Sequence, residues 1–224
     1  MKPSFFSLVF ALLASLVGAL AQGAEIKLYP TGPAEDSAFV RFVDGSGAGL
    51  RVSAAGSETA IDLDVQSRST AYMPVAGKTT IQGLLAQGGD KQAIAVDVRP
   101  SEFVTVVGVK TEAGLQVYKL HEEADGFTAV RASIAFYSLN ESCQDASVQV
   151  AGRSVFLFEH AEPGKWPRRQ VNPVPLSVQL VCAGQPTGQP LDLGPLQAGE
   201  RYSLFLAPGD PAAGFFHVKD TVAY

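Results

Sequence analysis

Beyond its first twenty residues, the chain contains no long stretch with apolar residues at helical spacing. It consists of short runs rich in Val, Phe, Tyr, Thr and Ile, cut by Gly, Pro, Asn and Asp. Period-two alternation over short runs, bounded by turn residues, is the pattern of strands and tight turns. The chain is therefore restricted to an all-β architecture. The expected strands in the first half are Ala38–Val43, Leu50–Ala54, Ile61–Val65, Thr70–Val75, Thr79–Leu84, Ala93–Val98, Phe103–Lys110 and Leu115–Leu120. Those in the second half are Thr128–Leu139, Ala146–Val150, Ser154–Glu159, Leu176–Cys182, Leu191–Leu193, Arg201–Ala207 and Gly214–Lys219. Phe103–Lys110 and Leu115–Leu120 read as a hairpin around Thr111–Gly114. The segment Ala161–Pro175 holds four prolines and the single Trp, so it reads as a long loop or a sheet edge.

The strand series breaks once, at the acidic stretch His121–Phe127. Two β-sandwich domains follow, over residues 25–120 and 128–224, with 121–127 as a linker expected to be flexible because it is acidic and poor in large apolar side chains. An internal echo points the same way. Ser37–Gly56 and Arg131–Gly152 share the outline strand, polar turn, strand, glycine.

The exception to the β pattern is the N-terminus. Lys2 precedes an apolar run from Phe5 to Leu20, and Ala19-Leu20-Ala21 supplies small residues at a cleavage position. This is the form of a secretory signal peptide over residues 1–21. The run is short for a transmembrane span, so no membrane insertion is expected after cleavage. The expected location is the periplasm. An oxidising compartment allows the two cysteines, Cys143 and Cys182, to pair. The bridge closes a loop of about 40 residues, worth about 4 kcal/mol in the chain-entropy model.

Charge narrows the partners. With 17 basic and 22 acidic residues the formal net charge is −5, and loss of the signal removes one further Lys. Neither half carries a basic field, so nucleic acid is not an expected partner.

No residue pattern announces catalysis. There is no Gly-x-Ser-x-Gly elbow, and no Gly-rich turn opens a helix to cradle phosphate. His121, His160 and His217 lie in separate segments without metal-ligand spacing, and no metal or cofactor is expected. Asp62 and Asp64 alternate on one strand face, where exposure accounts for them. Asp210 sits in the turn sequence Pro208-Gly209-Asp210-Pro211. The segment with binding character is Lys165-Trp166-Pro167-Arg168-Arg169. An indole ring can stack on a sugar, and guanidinium groups can grip a carboxylate. Lys165, Trp166, Arg168 and Arg169 are thus candidate polysaccharide- or partner-binding residues.

Several segments, in order, resemble the AlgF family, periplasmic accessory proteins of alginate O-acetylation. They are Lys27-Leu28-Tyr29-Pro30, Pro33, Ser37–Asp44, Arg68–Thr80, Arg168–Leu180 and Leu196–Leu206. Asn172-Pro173-Val174 with the preceding basic pair is the most telling. The resemblance implies two tandem β-sandwiches and a non-enzymatic role. It implies as partners a periplasmic SGNH-type O-acetyltransferase and a membrane O-acyltransferase. The family member acts with the periplasmic transferase as adaptor or acetyl-relay component. Similar accessory proteins occur in bacterial systems that acetylate cellulose, so the polymer stands open between alginate and cellulose. A stand-alone carbohydrate-binding module is the alternative, and an esterase or acetyltransferase the less favoured one.

Overall fold

The computed structural model describes residues 36–123, 126, 128–162 and 164–223. The signal peptide expected over 1–21 and the matched segment from Lys27 to Pro33 lie outside the described residues, as do three positions of the expected linker. The rest is an all-β structure.

Eight strands form the first sandwich: β1 (Ser37–Asp44), β2 (Leu50–Ala54), β3 (Ala60–Leu63), β4 (Met73–Ala76), β5 (Thr79–Gln87), β6 (Asp90–Val98), β7 (Glu102–Thr111) and β8 (Gly114–Glu123). Eight more form the second: β9 (Ala132–Ser138), β10 (Ser147–Val150), β11 (Phe156–Phe158), β12 (Arg168–Val171), β13 (Pro175–Cys182), β14 (Gln185–Pro195), β15 (Arg201–Leu206) and β16 (Phe215–Asp220). One helical turn, α1 (Pro211–Gly214), precedes β16, and Asp210 caps it by accepting from the Ala212 N–H.

The sheet orders show a repeat. The first sandwich pairs β4-β1-β7-β8 and β3-β2-β5-β6, and the second pairs β12-β9-β15-β16 and β11-β10-β13-β14. Adding eight to each strand number converts one half into the other. In both halves the first and seventh strands run parallel, with Val40 beside Val104 and Ile134 beside Tyr202. All other pairings between these strands are antiparallel. The echo between Ser37–Gly56 and Arg131–Gly152 falls on β1–β2 and β9–β10, which are equivalent strands.

Strand alternation explains where the cores lie. Ala38, Val40 and Phe42 point into the first sandwich, with Leu50, Leu85, Val96, Val104 and Val106. Their equivalents Ala132, Ile134 and Phe136 point into the second, with Val148, Leu180, Tyr202 and Leu204. Gly108 keeps the two sheets of the first sandwich close, since a Cβ there would stand 2.9 Å from the Leu50 side chain. The opposite faces of these strands are also buried. Val43, Val107, Val109 and Leu120 pack against Ala135, Tyr137, Phe205, Phe216 and Val218 in a third core. The inner sheets of the two sandwiches thus pack back to back. This is why β1, β7, β9 and β15 read as near-continuous apolar runs, the mark of strands covered on both faces.

The chain ties the halves together once more. The Tyr72 N–H donates to the Thr221 carbonyl at 2.7 Å, and the Ala223 N–H donates to the Tyr72 carbonyl at 2.8 Å. Residues 121–123 continue β8, so the stretch expected to be a linker is partly strand. Pro33–Tyr224 form one compact unit, and the shared core stands in place of the flexible connection expected from the sequence. Both sandwiches are expected to tumble as one body. Nuclear spin relaxation should give them a single rotational correlation time, and two distinct times would contradict this packing.

Candidate functional site

The junction between the sandwiches is polar at its centre. Arg41 alternates with the core residues Val40 and Phe42, so its side chain leaves β1 on the junction side, where it is 1% exposed. Its Nε donates to Thr105 Oγ1 at 2.9 Å, Nη1 to Asp220 Oδ1 at 2.6 Å, and Nη2 to Ser203 Oγ at 2.8 Å. The guanidinium lies 4.5 Å from the centre of the Tyr72 ring, and the Tyr72 hydroxyl bonds Thr105 at 3.0 Å. Ser203 also donates to Asp220 at 2.7 Å. A second charged group adjoins this one. Arg168 Nη2 lies 3.6 Å from Asp220 Oδ2 and 3.5 Å from Glu122 Oε1, and the Tyr137 hydroxyl donates to Glu122. Two cations thus face two carboxylates.

Burial and pairing compete here. Burial alone would raise the Asp220 carboxyl, but the Arg41 and Arg168 charges, with hydrogen bonds from Ser203 and Arg41, outweigh it and hold the group below the usual carboxylate range. Burial likewise opposes the Arg41 charge, and the surrounding groups, Asp220 first among them, more than restore it. Burial pushes the Tyr72 phenol up to about 12. At neutral pH the network holds charged arginines, ionised Asp220 and neutral tyrosines. A further strap is Arg68, whose Nε and Nη2 donate to the carbonyls of Asp44 and Gly45 while its guanidinium sits 3.4 Å over the Phe216 ring.

At one edge of this junction lies a groove of about 390 Å³. Tyr118 from β8 and Trp166 from the segment before β12 line it, and both pack against the shared core. The connection between β9 and β10 supplies its polar wall, with Asn140, Glu141, Gln144 and Asp145. Asn140 is committed to that wall. Its Nδ2 donates to the carbonyls of Ala207 and Gly209, and its Oδ1 accepts from Ser142. Glu141, Gln144 and Asp145 are exposed.

The structure separates the four residues singled out from the sequence. Trp166 lines the groove and rests on Tyr137 at 5.8 Å between ring centres. Arg168 turns inward to the junction. Arg169, its neighbour on β12, points the other way and donates to the carbonyls of Phe156 and Leu157. Lys165 is exposed and pairs with Glu162 at 2.5 Å. Opposite pointing of consecutive strand residues divides the basic pair between two environments. Tyr118, on an edge strand in the other sandwich, was not singled out from the sequence. Its signal would have been an aromatic residue interrupting the polar alternation of β8.

The remaining candidates have local roles. Asp62 accepts two bonds from Arg51, at 2.7 and 2.8 Å, and Asp64 accepts from the N–H groups of Gln66 and Ser67. His121 pairs with Glu102 at 2.8 Å, His160 stands 4.0 Å from Asp145, and His217 is half-buried. Among the described residues no three potential ligands gather as a metal site. Cys143 and Cys182 are joined in a disulfide.

No family model and no curated protein sequence matches the chain. Among solved structures, it is similar to the crystal structure of CBMbc (family CBM26) from Eubacterium rectale Amy13K in complex with maltoheptaose. The identity is 10%, the match covers 84% of this chain and 98% of that chain, and the TM-score is 0.26. A likeness of that extent carries no argument about ligand or activity, which rest on the chain's own geometry.

Proposed function

We propose that this protein is a non-catalytic periplasmic accessory protein of exopolysaccharide O-acetylation, an adaptor that docks on the periplasmic acetyltransferase and helps deliver acetyl groups to the polymer. One observation carries the reading. Each of the four described segments that resemble the AlgF family places a residue at the junction. Ser37–Asp44 supplies Arg41, and Arg68–Thr80 supplies Arg68 and Tyr72. Arg168–Leu180 supplies Arg168, and Leu196–Leu206 supplies Ser203 and Phe205. The segments that resemble the family thus supply the cations of the junction, while the carboxylates of Asp220 and Glu122 come from outside them. A scaffold that must hold partners at a fixed separation needs such a weld, whereas an isolated ligand-binding sandwich does not. The disulfide agrees with export to an oxidising compartment.

The test is direct binding between the full mature chain and a periplasmic SGNH-type acetyltransferase of an exopolysaccharide system from the same cell. Micromolar or tighter affinity is expected, and no binding at micromolar protein would overturn the proposal. The groove beside Trp166 favours a second reading, direct contact with the polysaccharide, and the two readings are compatible in one molecule.

A further inference from the structure

We infer that the groove between Tyr118 and Trp166 binds a neutral oligosaccharide chain and rejects polyuronates. This rests on the accessory role proposed above and names the class of polymer that the role serves.

Three features of the groove select such an occupant. The first is the aromatic pair. One ring comes from each sandwich, and the shared core holds both, so their positions are fixed before any ligand arrives. Aromatic rings that are buried on one side and open on the other suit the C–H faces of a pyranose, and prior ordering lowers the entropic cost of binding. The volume, about 390 Å³, lies at the lower end of the roughly 300–1,000 Å³ found for small-molecule sites.

The second feature is charge. The described lining residues include two carboxylates, Glu141 and Asp145, and no Lys, Arg or His. The cations nearby are turned to other partners. Lys165 pairs with Glu162, Arg168 faces Asp220 and Glu122, and Arg169 holds two carbonyls. The exposed His160 ring stands beside Asp145, outside the lining. A polyuronate would bring one carboxylate per sugar toward this pair and be repelled. Hydroxyl groups of a neutral sugar can instead donate to the carboxylates, and such charge-assisted bonds are the stronger kind. Gln144 adds an exposed amide that can both donate and accept.

The third feature is rigidity of the polar wall. Asn140 fixes one end of it through bonds to Ala207 and Gly209. The Cys143–Cys182 bridge fixes the other. By contrast, the hollow of about 460 Å³ over the outer sheet of the first sandwich has no aromatic ring and contains the exposed Arg51–Asp62 pair.

Trp166 is the chain's single tryptophan, so emission excited at the red edge, where tyrosine does not absorb, comes from this groove. The experiment titrates the mature protein with cellohexaose, maltohexaose and oligomannuronate at one ionic strength. At least one neutral chain is expected to shift the emission and to bind more than tenfold tighter than oligomannuronate. Tyr118→Ala is expected to weaken that binding more than tenfold. The double variant Glu141→Gln/Asp145→Asn alters exposed positions only, and Asn is well suited to the positive φ of Asp145. It is expected to narrow the preference over oligomannuronate to less than threefold. The inference is overturned if neither neutral chain binds at millimolar concentration, if oligomannuronate binds equally well, or if the double variant keeps the full preference. Loss of sugar binding with acetyltransferase binding intact removes only this inference, and the reverse result removes only the adaptor reading.

Discussion

Replacing Asp220 with Asn is expected to destabilise the protein by about 3–5 kcal/mol, the usual cost of leaving a buried charge without its partner. Asn has nearly the same shape as Asp, so no cavity forms and the loss is electrostatic. The Arg41 guanidinium would keep Thr105 and Ser203 as hydrogen-bond acceptors but would face no anion at Oδ1. Arg168 would lose one of its two carboxylates and keep Glu122. Removing both charges together, as Arg41→Met with Asp220→Asn, should cost less than the sum of the single changes, because neither charge is then left alone. The pH dependence follows from the direction of the Asp220 shift. Its pKa is lowered in the folded protein, so its contribution is complete above the unfolded carboxylate value of about 4. It is lost as pH falls below that value toward the folded one. Urea unfolding of wild type and variant at pH 7 and at pH 3 checks both statements. The difference between them should shrink at the lower pH. A loss below about 1 kcal/mol at pH 7, the level of an exposed pair, would show that the junction is hydrated and not a weld.

How much of this could be read from the sequence depended on whether the signal was local. Strand Leu50–Ala54 and the body of β1, expected over Ala38–Val43, were legible because the alternation lies within the strand itself and turn residues border it. So was the β7–β8 hairpin. Strand β12 and the first part of β14 were obscured by proline, yet both are sheet edges, where Pro186 and Pro190 can be accommodated. The weld was not legible. Arg41 in an otherwise apolar strand was a hint, but its anion lies 179 positions away, and no spacing rule reaches that far. The acidic stretch after Leu120 reads in the sequence as a flexible linker. In the fold, Glu122 accepts from Tyr137 and faces Arg168, so at that position the acid is paired within the junction. Half of the groove was legible, through Trp166. The other half was not, because Tyr118 is brought to it from the opposite sandwich by the packing of two inner sheets.

Removing the disulfide is the second change expected to have a large effect, about 4 kcal/mol from the 39-residue separation of its cysteines, by the chain-entropy relation. Cys143→Ala with Cys182→Ala is the suitable variant, since both side chains adjoin the second core and serine would place hydroxyls among apolar neighbours. The bridge joins the β9–β10 connection to the end of β13. Beside it, the Ala183 N–H donates to the Gln144 carbonyl at 2.6 Å. That one hydrogen bond contributes only about 1 kcal/mol, so it cannot replace the cross-link. The site makes the effect more than one of stability. Cys143 lines the groove between Glu141 and Gln144, and without the bridge the polar wall is free to move while Tyr118 and Trp166 remain anchored in the shared core. The variant should therefore unfold at lower urea and also bind neutral oligosaccharide less tightly at concentrations where it is still fully folded. Urea unfolding with and without reductant, paired with the fluorescence titration, separates the two effects. Unchanged affinity in a destabilised variant would mean that Asn140 alone holds the wall. An unchanged unfolding midpoint would mean that residual structure in the unfolded chain already restricts the loop, so that the cross-link removes little further entropy.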